Sequence, residues 1–463
     1  MDGLDEALAV VDAFDRVLTA GVMRPQAAQA AALAGLARAV GGTPLAGRVA
    51  EAAEKAAAGA AGEEHLLALA AARTALLGSV HDALVAQVAE ATGRAAAAPS
   101  AETGETGETG EMAAGTQGAN ALAAARSWLA DLARAGWQGI DHELVAGAAP
   151  VVSALLPDPA LRRPAVLLDG FAAELAANCP GATLEHVPVR RWADLWARAM
   201  LLTVPGAGGG PAAGTATGRL LPLGVDLQEH ATAVQAQVHA VFEPADGAPP
   251  RLVRAAVSAP KPDTVVGAGL WQLLRPHMTL LTAVGEGRAM ELTGMPVTAD
   301  GDLVWDDACA RPGDPADAFA TARAALPAAA DQVTAPLDRH PARIAVPVLL
   351  EGGTAGTADD GSPARTLAGQ PLAVDTDRIP AASPLTPEAV AAPAACIGLL
   401  RWDAGRFLVQ PLAVETTVRK KPVAVHAGGW AGGTNDKVGA KAEKAATDAV
   451  AVLRERAGRL LRK

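Results

Sequence analysis

Apolar positions recur every three or four residues through the first part of the chain. Leu4, Leu8, Val11, Phe14 and Leu18 form one stripe, the spacing of a helix face. Gly21 and Pro25 interrupt it, and Pro25 suits a first helical turn. A second periodic run covers 27–40 and ends at Gly41-Gly42-Thr43-Pro44, where Thr43 can cap the next helix. Further runs reach Ala58 and extend from Glu63 to Thr92. The pattern predicts an antiparallel helical bundle over 1–96. Residues 97–118 carry Glu-Thr-Gly three times over. Such a polar, acidic, Gly-rich stretch has nothing to bury and predicts a disordered acidic linker.

Helical spacing returns over 119–203 and predicts a second helical module. Trp128 and Leu132 share a face, and Pro150, Pro157, Pro159 and Pro164 break the segment into short helices. Trp192, Trp196 and Met200 stand at i, i+4 and i+8. They either anchor their helix to a core short of other large residues or form an exposed stripe for a partner. Large aromatics dominate burial where they are scarce, which favours the core. Trp192 and Trp196 are also kept as candidate partner-binding residues. Residues 204–217 read as a Gly-rich linker. Its glycine spacing fits neither GxGxxG nor GxxxxGK[ST], and a strand pattern follows it, so no helix N-terminus is offered to a phosphate.

From 218 the period changes to two. Leu223, Val225 and Leu227 alternate, as do Val234, Ala236, Val238, Ala240 and Phe242, and residues 252–258 do the same. Residues 264–293 read as helix. Segments 293–297 and 303–305 flank Ala299-Asp300-Gly301-Asp302, a hairpin signal. Helix is expected over 315–333 and strands over 344–427, with a hairpin from Ile397–Trp402 back through Arg406–Val409. Three short tags resemble one another, Pro222–Asp226, Pro371–Asp375 and Pro411–Glu415, too briefly to establish a repeat. A terminal helix is expected over 434–462 with Asn435 as N-cap. The fold class is therefore α+β and multidomain: an all-α N-terminal bundle and helical middle, then a mixed domain over 218–433 with antiparallel hairpins, closed by a helix at 434–463.

Composition sharpens this picture. Half of the 463 residues are hydrophobic, yet aromatics make up 3% and Tyr is absent, so the cores are built mainly from Ala, Leu and Val. The net charge of −11 excludes a general nucleic-acid binder, which needs a basic field. Charge is unevenly spread. From Arg419 to Lys463 there are eleven Lys and Arg against four Asp and Glu, a net +7 that leaves −18 on the rest. Lys441, Lys444, Arg454, Arg456, Arg459 and Arg462 surround an Ala-rich face of the terminal helix and are candidate partner-binding residues. That helix either packs on the acidic body of the same chain or docks on an acidic partner. Its apolar face lacks the Trp and Phe of a membrane-surface helix.

Candidate chemistry is sparse. Cys179, Cys309 and Cys396 form no CxxC pair, which predicts reduced thiols and a cytoplasmic protein. Cys396 opens an apolar strand and reads as a buried small hydrophobe. The N-terminus lacks the basic and apolar regions of a signal peptide, and no uncharged apolar run is long enough for a membrane span. There is no GxSxG or HExxH, and His230 and His239 lie an odd number of residues apart, on opposite faces of a strand. Asp306-Asp307, Asp359-Asp360 and Asp375 with Asp377 read as turn carboxylates. Gly428-Gly429 and Gly432-Gly433 lead into the terminal helix as a hinge. No catalytic, metal or cofactor residue is assigned. For an enzyme, Arg401, Trp402, Arg406 and His426 are where a site would be sought.

Over roughly 189–430 the phrases PVRRWADLWARAMLL, ELTGMPV, GDLVWDDA, LDRHPARIA, ACIGLLRWDAGRF and KKPVAVHAGGWA resemble a family of high-GC actinobacterial proteins. Members of that family are encoded beside a SWIM-type zinc-finger protein, a MoxR-type AAA ATPase and a von Willebrand A domain protein. The chain itself has no AAA nucleotide loop, no DxSxS and no SWIM CxC…CxH. The resemblance implies an adaptor or accessory in such an ATPase system, with the ATPase or the von Willebrand A protein as partner. The expectation is a non-enzymatic interaction protein. The alternatives are an enzyme with its site in 218–430 and a nucleic-acid-binding accessory acting through the basic terminal helix.

Overall fold

The computed structural model describes residues 3–91, 116–158, 161–204, 212, 214–229, 233–262, 264–298, 301–330, 346–352, 354–358, 361–367, 370–391, 393–403, 406–418, 421–433 and 437–460. Most of both expected linkers, the turn at 404–405, His230, Asp359-Asp360 and the proposed cap Asn435 lie outside these residues. The chain is α+β, as its patterning predicts. Helices come first: α1 (Leu4–Ala20), α2 (Ala27–Ala39), α3 (Ala46–Ala57), α4 (Glu63–Ala91), α5 (Thr116–Ala135), α6 (His142–Ala146), α7 (Ala148–Leu155), α8 (Arg162–Ala177) and α9 (Val189–Leu202).

The two helical segments expected as separate modules share one core. It runs from Val11 and Phe14 of α1 through Leu66 and Leu69 of α4 to Trp192, Trp196 and Met200 of α9. Six of the thirteen aromatic side chains sit in it. Trp137 meets Trp192 edge-on at 5.9 Å between ring centroids, Phe171 lies 6.2 Å from both Trp137 and Trp128, and Phe14 lies 6.5 Å from Trp196. Each ring pair adds about 0.5–1.5 kcal/mol beyond the area it buries. The ends of α1 and α5 touch through two glycines. A Cβ on Gly21 would stand 2.4 Å from the Arg134 carbonyl oxygen, and one on Gly136 would stand 2.3 Å from the Gly21 nitrogen. Both have positive φ, so Gly is required there for conformation and for space.

The second half contains two sheets. The first is antiparallel, in the order β3 (Arg251–Pro260), β2 (Ala233–Pro244), β1 (Gly214–Glu229), β4 (Arg288–Val297) and β5 (Ala310–Pro315). Between β3 and β4 lie α10 (Leu270–Leu273) and α11 (Met278–Glu286), and after β5 come α12 (Ala318–Ala324) and α13 (Leu326–Ala330). The helix expected over 264–293 therefore ends early, because 288–293 is strand. There Glu291 pairs with Arg219 of β1 and Arg311 of β5. The expected hairpin is short: Val297 and Leu303 form an antiparallel bridge, with Thr298 N donating to Asp302 O and Val304 N to Pro296 O, both at 2.8 Å, and Leu303 also bridges Ala255.

The second sheet is mixed. Its order is β6 (Pro347–Glu351), β10 (Ala395–Asp403), β11 (Arg406–Val418), β9 (Gln370–Val374), β8 (Pro363–Leu367) and β7 (Thr354–Thr357), with β12 (Lys421–His426) also on β11. The β10–β11 hairpin forms as expected, and β9 joins β11 in parallel. A short helix α14 (Pro387–Ala391) precedes β10, and α15 (Lys437–Leu460) closes the chain.

The halves are joined through α4 and α9. The N-terminal part of α4 lies in the helical core, while its Leu84 and Val85 pack into the core of the β half. The faces of β1 and β2 set what lies beneath that junction. A bulge between Pro222 and Gly224 shifts the pairing, after which Gly224, Asp226 and Gln228 stand opposite His239, Gln237 and Gln235. Gly224 is there because a Cβ would come within 2.7 Å of the Leu412 Cβ on β11. The two sheets thus close over a polar row.

Candidate functional site

Helix α9 carries two faces. One bears Trp192, Trp196 and Met200, all buried, and Trp196 Nε1 donates to the Leu129 carbonyl at 2.9 Å. Of the two readings of this stripe, the core reading holds. Trp192 and Trp196 are corrected as partner-binding candidates, because neither side chain reaches the surface. The other face bears Arg191, Asp194, Leu195 and Arg198, a spacing that keeps four side chains on one side. These four line a shallow cleft whose far wall is Asp375, Arg378 and Arg401. Asp375 and Arg378 follow β9, and Arg401 lies on β10.

Arg401 is held from behind by the polar row. Its Nε donates to Gln410 Oε1, and Gln410 Nε2 donates to Asp226 Oδ1 at 2.6 Å. Gln228 Nε2 donates to the other Asp226 oxygen at 3.0 Å, and Arg401 lies 3.6 Å from that same oxygen. Burial raises the Asp226 carboxyl, but Arg401, Arg378 and the Gln228 hydrogen bond together hold it below the ordinary value. Burial and the neighbouring cations Arg378 and Arg198 push Arg401 down to about 9, against Asp226 and Asp194. His239 is two residues along β2 from Gln237, whose Nε2 lies 3.2 Å from its Nε2. Burial pushes this imidazole down to about 4, so it is neutral near pH 7.

Each arginine on the cleft wall has a carboxylate beside it. Arg198 Nε lies 3.0 Å from Asp194 and Arg378 Nε lies 3.2 Å from Asp375. Arg191 grips Glu174 with two nitrogens. Asp194 also faces Arg73, 3.6 Å away. Burial pushes Asp194 up, yet Arg198, Arg73, Arg401 and Arg378 keep it below the ordinary carboxylate value. Through Arg73 the charges continue into the helical core. There Asp15 accepts from Arg73 Nε and Nη2 at 2.7 and 3.1 Å and faces Arg190 at 3.0 Å.

Of the residues singled out for an enzyme site, Arg401 alone is placed at this cleft. His426 is on β12 opposite Ala413, five residues along β11 from Leu408, the partner of Arg401. The side chains of Trp402 and Arg406 lie outside the described residues. Cys396 is buried and its thiol is pushed up to about 12 by that burial, as its strand position suggested. Among the described residues no group of three His, Cys, Asp or Glu side chains is placed to hold a metal ion. Sequence reading missed Arg198, Arg378 and Asp226, which come from three elements. The three short tags held a partial signal. Their terminal acids Asp226, Asp375 and Glu415 each face an arginine, Arg401, Arg378 and Arg323 respectively.

The terminal helix is the second candidate. Gly439 and Ala446 are buried, and Ala446 and Ala449 join the core of the β half. The helix packs on Gly267–Gly269 and α10. Beyond Ala449 every described side chain is exposed: Ala451, Val452, Glu455, Arg456 and Arg459. Lys441 and Lys444 are exposed on the packed part, while the Arg454 side chain and Arg462 lie outside the described residues. Comparison with known protein families, with curated proteins and with solved structures finds no match.

Proposed function

We propose that this chain is a non-enzymatic interaction protein that docks an acidic protein surface with the far half of α15. The observation that carries this reading is that the helix is anchored at its start and exposes cations further along. Its near half is anchored by Gly439, Ala446 and Ala449, and its far half presents Val452, Arg456 and Arg459 to solvent. A helix anchored at one end that exposes Val452, Arg456 and Arg459 further along offers a preformed strip, and rigid presentation lowers the entropic cost of docking. Cations on that strip suit an acidic partner and steer its approach.

The family resemblance supplies the partner class, a MoxR-type AAA ATPase or a von Willebrand A domain protein, with the chain as its accessory in the cytoplasm. No helix among the described residues is long and apolar enough to cross a membrane, so nothing described competes with docking in solution. The test is a photo-crosslinking residue placed at Val452 in the full chain in native cells. Crosslinks to an ATPase or von Willebrand A subunit are expected, and they should disappear when the label is moved to buried Ala446. Crosslinks to nucleic acid, or none, would overturn the reading.

A further inference from the structure

The cleft between the two halves concentrates cations in an acidic protein. Four arginines and two aspartates line it, while the chain as a whole carries −11. Arg198 comes from α9, Arg378 from the turn after β9 and Arg401 from β10, so the fold brings them together from elements far apart in sequence. Like charges are gathered this way only at a cost, which an anion between them would relieve.

Two of these arginines, Arg198 and Arg378, are held by one edge. Arg198 and Arg378 each meet their carboxylate through Nε. Among the described residues, no hydrogen bond is made by the terminal nitrogens of either. Both side chains are about one-third exposed, at 34% and 30%, and both line the cleft. Arg401 is different. Its side chain is 8% exposed, its Nε is fixed by Gln410, and Asp226 and Gln228 complete the support. The wall is therefore one preorganised guanidinium at the back and two adjustable ones in front. A buried arginine fixed by a hydrogen-bonded backing is the usual support for tight oxyanion recognition. The depressed value of Arg401, caused by burial with Arg378 and Arg198, reports the same crowding of positive charge.

We infer that this cleft binds a phosphate group, with Arg401 as the fixed contact and Arg198 and Arg378 as the closing contacts. Planar guanidinium forks match phosphate oxygens better than ammonium groups do. The cleft is open to solvent on one side, so an oxyanion can approach the guanidinium edges from outside. Because α9 belongs to the helical half and the other two arginines to the β half, the bound group would also fasten the halves together.

The test uses the full chain. Inorganic phosphate and glycerol phosphate are titrated against it by calorimetry, with chloride exchanged to hold ionic strength constant. Saturable binding is expected. Binding of inorganic phosphate alone would assign a free-ion site, and binding of both a site for phosphomonoesters as well. Arg378→Gln should weaken binding about tenfold or more, the scale of one lost charge-assisted contact. Asp375→Asn should tighten it by releasing Arg378, a gain that misfolding cannot imitate. Arg323→Gln, whose side chain pairs with Glu351 and Glu415 away from the cleft, should leave it unchanged. The inference is overturned if neither phosphate saturates, if succinate binds more tightly than both, or if Arg378→Gln and Asp375→Asn bind as the parent does.

Discussion

The helical core and the interdomain cleft treat buried charge in opposite ways. In the helical core Asp15 is buried between Arg73 and Arg190, with two hydrogen bonds from Arg73. In the cleft Arg198 and Arg378 each meet one acid and stay about one-third exposed, while Arg401 is buried behind them beside Asp226. Asp194 belongs to both, facing Arg73 on one side and Arg198 on the other. The closed cluster locks α1, α4 and α9 together. The open one leaves cationic chemistry at the seam between halves. Closure favours architecture, and an open edge favours binding.

The closed cluster gives the largest expected effect. Asp15→Ala removes the buried acid shared by Arg73 and Arg190, leaving them only Asp194 and Asp12, and should destabilise by about 3–5 kcal/mol, read as a fall in the urea midpoint. If the loss is under about 1 kcal/mol, the cluster is not the lock described. Trp196→Ala removes a fully buried ring and its hydrogen bond to Leu129. It should also cost about 3–5 kcal/mol, whereas an exposed docking tryptophan would cost almost nothing in the free protein. Gly224→Ala pushes a Cβ against the Leu412 Cβ and should cost about 1–3 kcal/mol, read as a fall in the urea midpoint.

The polar row predicts a pH dependence. The His239 imidazole is lowered to about 4 when folded, from 6.5. The unfolded state then binds the extra proton first as pH falls. Stability from keeping this ring neutral is complete above about pH 6.5 and is lost between there and about pH 4, with a slope of up to about 1.4 kcal/mol per pH unit. His239→Gln should flatten that slope in urea melts run from pH 7 to 4. An unchanged slope would assign the acid sensitivity to other groups. The smallest effect is expected at the terminal helix. Replacing exposed Arg456 and Arg459 by Gln should change stability by less than about 0.5 kcal/mol, while weakening crosslinking to a partner.

Much of the fold could be read along the chain because its signals are local. The alternation through 220–242 identified β1 and β2, and the Trp192–Trp196–Met200 spacing identified a buried helix face. The strand at 288–293 could not be read that way. Arg288-Ala-Met-Glu-Leu has helix-forming residues, and only pairing with β1 and β5 makes it a strand. The unity of the helical core was hidden by the stretch around 97–118, since nothing local shows that Trp192 packs against Trp137. The cleft was the least legible part. Arg401 stood out beside a hairpin, but Arg198 and Arg378 carry no motif, and three arginines in three elements meet only after the halves come together.

The division of α15 is the claim on which the functional reading stands, and hydrogen exchange on the free full-length protein tests it most directly. Amides from Lys441 to Ala449 should exchange slowly because that half is packed on Gly267–Leu273. Those from Ala451 to Leu460 should exchange faster by orders of magnitude, because the described side chains of that half are exposed. Equal, strong protection through Leu460 would mean that the far half is already covered by its own chain, and would contradict a docking strip left open for a partner.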